Sequence, residues 1–214
     1  STLYKKFNAN HNWINGVKID KINFRIRERL YDSDSQQLEM LRDGSGYAYL
    51  LQMYSNWKYA PSNRLTFNLG VHFQQLTLNE AYALEPRLGV RYSVKPDKVL
   101  SFGYGLHSQM QLLPVYHTVT PGEEQLFQTN IDLGFTQSHH FVLGYDQKFG
   151  LDFRLKSEVY YQHLYNVPVH GYGRKSSFSI LNEGSGFIFS DEDSLVNDGS
   201  GRNLGVELTL EKFF

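Results

Sequence analysis

The chain of 214 residues contains no cysteine, which excludes a disulfide framework, a thiolate metal site and a cysteine nucleophile. It contains no apolar run approaching about eighteen residues, so no stretch is fit to span a bilayer as a helix. It has no excess of either charge. The 21 basic and 22 acidic residues leave a net charge of -1, and without a basic block there is no electrostatic case for nucleic acid. It opens on Ser1 with neither Met nor a charged-then-apolar leader, so a leader has been removed or the chain is a piece of a longer protein. Hydrophobic residues make up 41% and the mean hydropathy is -0.44, values typical of soluble proteins. A transmembrane β-barrel shares them, because its polar lumen dilutes its apolar face.

What the chain does hold is aromatic residues, 15 Tyr and 15 Phe, set into a pattern of strict alternation. The stretch 139–165 organises the rest. Phe141, Leu143, Tyr145 and Phe149 fall on one side of it, and His140, Gly144, Asp146 and Lys148 on the other. After a glycine-bearing turn at 149–152, Phe153, Leu155, Val159 and Tyr161 alternate with Arg154, Lys156, Glu158 and Gln162. Period two marks strands with one apolar and one polar side, so the spacing predicts an antiparallel hairpin. Its arms run to about ten residues or more, against a usual length of about five to six. Long two-faced arms are what a transmembrane barrel requires.

Further strands are predicted at 3–9, 13–24, 47–59, 64–74, 86–94, 99–110 and 203–214. The clearest is 64–74, where Leu65, Phe67, Leu69, Val71 and Phe73 alternate with Thr66, Asn68, Gly70, His72 and Gln74. Connections at 10–12, 60–63, 95–98 and 149–152 are short. Those at 25–46, 77–84, 111–138 and 166–202 are longer, and 25–46 reads as a polar loop with a helical turn near 36–40. Short and long connections alternate, as in outer-membrane barrels with short periplasmic turns and long extracellular loops. The expected fold is all-β: an antiparallel meander of about nine long strands forming a partial transmembrane β-barrel. Nine is odd and open edges do not survive in lipid, so more strands are expected outside the chain.

Several of these strands resemble those of TonB-dependent outer-membrane receptors of the Bacteroidetes type. The stretches are EPRLGVRY from Glu85, LSFGYGLHSQ from Leu100, SHHFVLGYDQ from Ser138, NVPV from Asn166 and GRNLGVELTLEKFF from Gly201. They span roughly 65–214, and the nearest subset is receptors with a carboxypeptidase-regulatory-like domain before the plug. The resemblance implies the bacterial outer membrane and a barrel of about 22 strands filled by an N-terminal plug. It implies import of a bound ligand with energy from the TonB complex. Residues 1–214 are then one partial barrel domain, holding no plug and no TonB box. The partners implied are outer-membrane lipid, the receptor's own plug, the TonB complex, and a small-molecule, glycan or peptide ligand; no cofactor is implied.

Candidate ligand-binding residues come from the polar sides of the strands and from the long loops. His72, Arg87, Arg91, His107, Lys156, Glu158 and Glu207 lie on polar sides. In a barrel they line the lumen, where they meet cargo, the plug or one another. Tyr116, Phe127, Tyr172, Phe187 and Phe189 lie in loops where a ligand first docks, unless they pack among themselves. His139 and His140 are adjacent on a strand and point to opposite faces, so they do not chelate one ion. Asp191, Glu192, Asp193 and Asp198 gather in one loop, but Leu195 falls where a calcium loop needs its third ligand. The serines at 45, 185 and 200 sit in Gly-Ser-Gly triplets that lack a nucleophile elbow, so no enzyme and no catalytic residue is expected. Two other readings stay open: a non-transporting barrel or surface adhesin, and a soluble β-sandwich binding module. The sandwich would cover the row from Leu65 to Phe73 with a second sheet.

Overall fold

The computed structural model describes residues 1–34, 36–121, 125–150, 152–171, 178–183 and 192–213. Six strands come first: β1 (Thr2–Lys6), β2 (His11–Asp32), β3 (Gln37–Tyr59), β4 (Leu65–Leu76), β5 (Tyr82–Lys95) and β6 (Lys98–Gln109). A short helix α1 (Leu113–Tyr116) and a two-stranded ladder of β7 (Thr120–Pro121) and β8 (Leu126–Phe127) follow. Then come β9 (Thr136–Phe149), β10 (Phe153–His170) and β11 (Leu195–Lys212). Nine strands join in one antiparallel sheet in chain order, with β1 and β11 at its edges. The expected meander of nine strands is borne out, and the sheet is open.

The register carries each strand's alternation across the whole sheet. Trp13, Trp57, Leu69, Leu88, Tyr104, Phe141, Tyr161 and Leu204 form one cross-strand row. Tyr59, Phe67, Val90, Phe102, Leu143, Val159 and Val206 form another. A one-residue slip would send every one of these side chains to the other face, so the pattern itself fixes the pairing. Among the described residues no second layer covers the apolar face: Leu69 is 40% exposed, Leu143 58% and Leu208 69%. Burying a leucine contributes about 1.5–3 kcal/mol, so a face this wide calls for hydrocarbon rather than water. A sandwich would have buried it.

Three expectations need correction. Residues 25–32 and 37–46 are strand and not loop, and 37–40 hold no helical turn. β2 runs on to Asp32 and β3 begins at Gln37, paired throughout with one bulge after Glu28. Above a bilayer a strand needs no apolar face, so the backbone ladder continues where the apolar alternation fades. The same reason extends β10 to His170 and starts β11 at Leu195, inside the loop expected at 166–202. There the register shifts twice near Val167 and Pro168, a bulge of the kind that tolerates proline. Finally, β5 starts at Tyr82, with Pro86 inside it opposite Val71. Proline there removes one ladder hydrogen bond and does not end the strand.

The packed core sits at one end of the sheet. Residues 110–121 and 125–135 fold back over the polar face at the end with the long connections. Val115, Tyr116, Leu133 and Phe135 pack there with Ala48, Leu76, Ala83 and Leu195. Side-chain amides tie neighbouring loops to this segment. Asn79 Nδ2 donates to the carbonyls of Ile131 (2.9 Å) and Leu133 (2.7 Å). Asn130 Nδ2 donates to the carbonyls of Val115 (3.1 Å) and Glu192 (2.8 Å), and its Oδ1 accepts from Leu195 N at 2.9 Å.

Candidate functional site

The polar face is organised around Glu85, which alternation places on the same side as Arg87. The register sets His72 opposite Glu85 and Arg87 opposite Gly70. Glu85 is 2% exposed, and both its oxygens are satisfied. Oε1 accepts from Gln74 Nε2 at 2.8 Å, from Ser108 N at 3.0 Å and from Ser108 Oγ. Oε2 accepts from an Arg87 guanidinium nitrogen at 2.8 Å and lies 2.9 Å from His72 Nδ1. A buried carboxylate persists only when paired and hydrogen-bonded in this way. Beyond it the rings of His107 and His140 meet at 4.6 Å, and Asn203 Nδ2 donates to Gln162 Oε1 at 3.0 Å. A second ionic group lies nearer the short turns. Arg154 Nε donates to Asp146 Oδ1 at 2.9 Å, and Lys156 Nζ to Glu211 Oε1 at 2.8 Å.

Between these two groups runs the cross-strand row Thr66, Arg91, Ser101, Gly144, Glu158 and Glu207. Its three charged members are exposed, and among the described residues no salt bridge engages them. Glu158 and Glu207 stand directly opposite one another. Like charges so placed destabilise a sheet, so the fold carries this pair at a disadvantage.

The residues singled out in the sequence therefore divide. His72, Arg87 and His107 come together around Glu85, and Lys156 joins the second ionic group. Among the described residues, Arg91, Glu158 and Glu207 are left unengaged by ion pairs. Tyr116 is fully buried, its Oη accepting from Gln111 N at 3.1 Å; its ring belongs to the core and does not face an incoming ligand. Burial pushes its hydroxyl pKa up to about 12. Phe127 is 48% exposed. Tyr172, Phe187, Phe189 and Asp191 lie outside the described residues, while Glu192 pairs with His170. His139 and His140 part as expected. His139 lies on the apolar side with its ring 5.2 Å from that of Tyr165, and His140 lies against His107 on the polar side. Sequence reading passes over Glu85, Gln74 and Ser108. Glu85 stands two residues before Arg87, but the apolar alternation that marks the strand is legible only from Pro86.

His117, just after α1, is the other unusual group. Its ring packs against Phe24 at 4.7 Å and lies over Gly44, where an added Cβ would collide with Nδ1. The residue is 4% exposed, and neither ring nitrogen has a hydrogen-bond partner among the described residues. Burial lowers its pKa, against opposing contributions from Gln128 and Asp43. Because the docked segment binds its proton less readily than the unfolded chain, docking is strongest above the ordinary histidine pKa of about 6.5 and weakens as pH falls below it. Amide hydrogen exchange at 113–119 should quicken between about pH 7 and 5 in the wild type, after correction for intrinsic rates, and far less in His117→Phe. An equal pH response in the variant would dismiss this role for His117.

No family model matches the chain, and no curated protein matches it in sequence. Solved structures do. The FrpB iron transporter from Neisseria meningitidis (F3-3 variant) superposes over 100% of this chain and 32% of its own, with a TM-score of 0.65 and 11% identity. The outer membrane transporter YddB from Escherichia coli gives 99%, 29%, 0.64 and 12% in the same measures. The RagAB peptide transporter gives 98%, 26%, 0.62 and 14%. The chain has the fold of an outer-membrane transporter wall. That fold belongs to the bacterial outer membrane, and the likeness to receptor barrels read from the strands is borne out at the level of fold. The wall described here spans about a third or less of the length of the structures it matches.

Proposed function

We propose that residues 1–214 are part of the barrel wall of a TonB-dependent receptor that imports a ligand across the outer membrane. The plug and the TonB-contacting segment would lie elsewhere in the intact protein. The observation that carries this reading is the division of the sheet. One face is a continuous uncovered apolar band, and the other holds satisfied ionic groups with unengaged charges between them. The neighbours' names speak of iron, copper and peptide cargo, and a small-molecule, glycan or peptide ligand fits a lumen that carries both signs of charge. Arg91, Glu158 and Glu207 are the ligand-contact candidates, because the remaining charged candidates are occupied in the wall.

Two measurements test this. Uptake by cells carrying the full-length receptor should require the TonB complex, and uptake that persists without it would remove the energy-coupled reading. Arg91→Ala together with Glu158→Ala should weaken ligand affinity by about tenfold or more, the scale of lost hydrogen bonds to charged groups, with the barrel still folded. Unchanged affinity would move the contact to another part of the wall.

A further inference from the structure

β3 outlasts its neighbour. It pairs with β4 only as far as Leu50, whereas its pairing with β2 runs on to Gln37, so among the described residues no strand of the meander flanks its upper edge. The infolded segment fills that edge. Val119 N donates to the Leu41 carbonyl at 3.0 Å, Asp43 N donates to the His117 carbonyl at 3.2 Å, and Thr118 faces Arg42 as an antiparallel bridge. An unpaired edge takes up extended backbone, and here the chain supplies its own. So short a ladder is weak by itself, and its hold depends on what its side chains bury.

One of those side chains is His117. It is 4% exposed, lies over Gly44 and Phe24, and has no hydrogen-bond partner for either ring nitrogen among the described residues. The charges around it are already matched. From β2 and β3, Arg27 pairs with Asp43 at 3.2 Å and Glu28 pairs with Arg42; from the segment itself, Gln128 Nε2 donates to the Asp43 carbonyl. A neutral ring forgoes only its hydrogen bonds to water here, whereas an imidazolium would be a buried cation with no carboxylate of its own.

We propose that 117–119 is an acid-released latch, which holds 110–121 over the outer end of the polar face while His117 is neutral and lets go when the ring gains a proton. Beneath the segment lie Ala48, Leu76 and Ala83, and Ala83 shares a side of β5 with Glu85, so release uncovers the approach to the Glu85 group. That consequence rests on the polar face being a lumen; the latch itself does not. Proton uptake at an ordinary histidine pKa of about 6.5 shifts the balance toward the open form by up to about 25-fold between pH 7 and 5.

The test places a reporter thiol beneath the latch, Ala83→Cys, in the full-length receptor held in neutral detergent. Its reaction with a small methanethiosulfonate is read at that residue by mass spectrometry at pH 7 and pH 5. Each rate is divided by that of an unfolded peptide carrying the same thiol, which removes the effect of thiol ionisation. The normalised rate should rise by about tenfold or more from pH 7 to 5, with the circular dichroism of the strands unchanged. An unchanged rate overturns the proposal. So does a rise that accompanies loss of the strand signal, which would be unfolding of the wall. His117→Phe and His117→Leu should abolish the pH response whether they leave the latch closed or open, since neither side chain takes up a proton. A response that survives in both belongs to another group, such as the His170–Glu192 pair, and overturns the role of His117. Ligand uptake that ignores pH while the thiol responds would sink the lumen reading and leave the latch standing.

Discussion

Glu85→Ala is expected to destabilise the barrel by about 3–5 kcal/mol, the usual penalty for breaking a buried, hydrogen-bonded charge pair from one side. The loss comes less from the missing carboxylate than from what it leaves behind. Ser108 N, Gln74 Nε2 and His72 Nδ1 all point at the vacated space, and each stranded polar group costs about 1–3 kcal/mol unless water reaches it. Glu85→Gln keeps an acceptor and should lose less. Arg87→Ala should lose under about 1 kcal/mol, because that side chain is 43% exposed and contributes a solvent-screened pair. The measurable outcome is an order of damage, with Glu85→Ala worst, Glu85→Gln between and Arg87→Ala mildest, read from urea unfolding of the full-length protein in lipid or detergent. If Arg87→Ala were as damaging as Glu85→Ala, the carboxylate would be a member of a surface pair and not the centre of the wall.

The sequence reveals the strands where the bilayer constrains them and not where it ends. Phe141, Leu143, Phe67 and Leu69 alternate strictly because one side must face hydrocarbon and the other the lumen, so nine strands and their faces are legible from period two alone. Beyond the bilayer that constraint lapses. In β2 the alternation of Phe24 and Ile26 with Arg25 and Arg27 is present, but charged residues on one side and a half-covered second side weaken it into an apparent loop. The polar network is half legible for a related reason. Period two assigns His72, Arg87 and His107 to one face, but only the inter-strand register says which of them meet. Register depends on turn and bulge geometry that composition does not display. Tyr116 is the converse case. An aromatic residue two positions after a proline in a long connection looks like an exposed loop residue, until 110–121 and 125–135 fold back upon Ala48, Leu76 and Ala83 and make a core of it.

The face assignment itself yields the second large effect. Leu69→Arg and Leu208→Arg should each destabilise the membrane-embedded barrel by about 2–4 kcal/mol if they lie near the midplane, because a guanidinium is forced into hydrocarbon. Neighbouring positions one residue away point into the lumen, so Asn68→Arg and Thr209→Arg should cost much less. Asn68 stands opposite Lys58 and Gly89, and Thr209 opposite Lys156, so a small like-charge penalty of a few tenths of a kcal/mol is expected at both sites. That penalty runs against the predicted difference and makes the comparison conservative. The reading depends on solvent: in a folded barrel held in lipid the two classes should separate by several-fold in cost, whereas a water-soluble sheet would tolerate arginine best at the exposed Leu69 and Leu208. Equal penalties in lipid would mean that the band from Trp13 to Leu204 does not meet hydrocarbon. The open sheet would then need a protein partner to cover its apolar face.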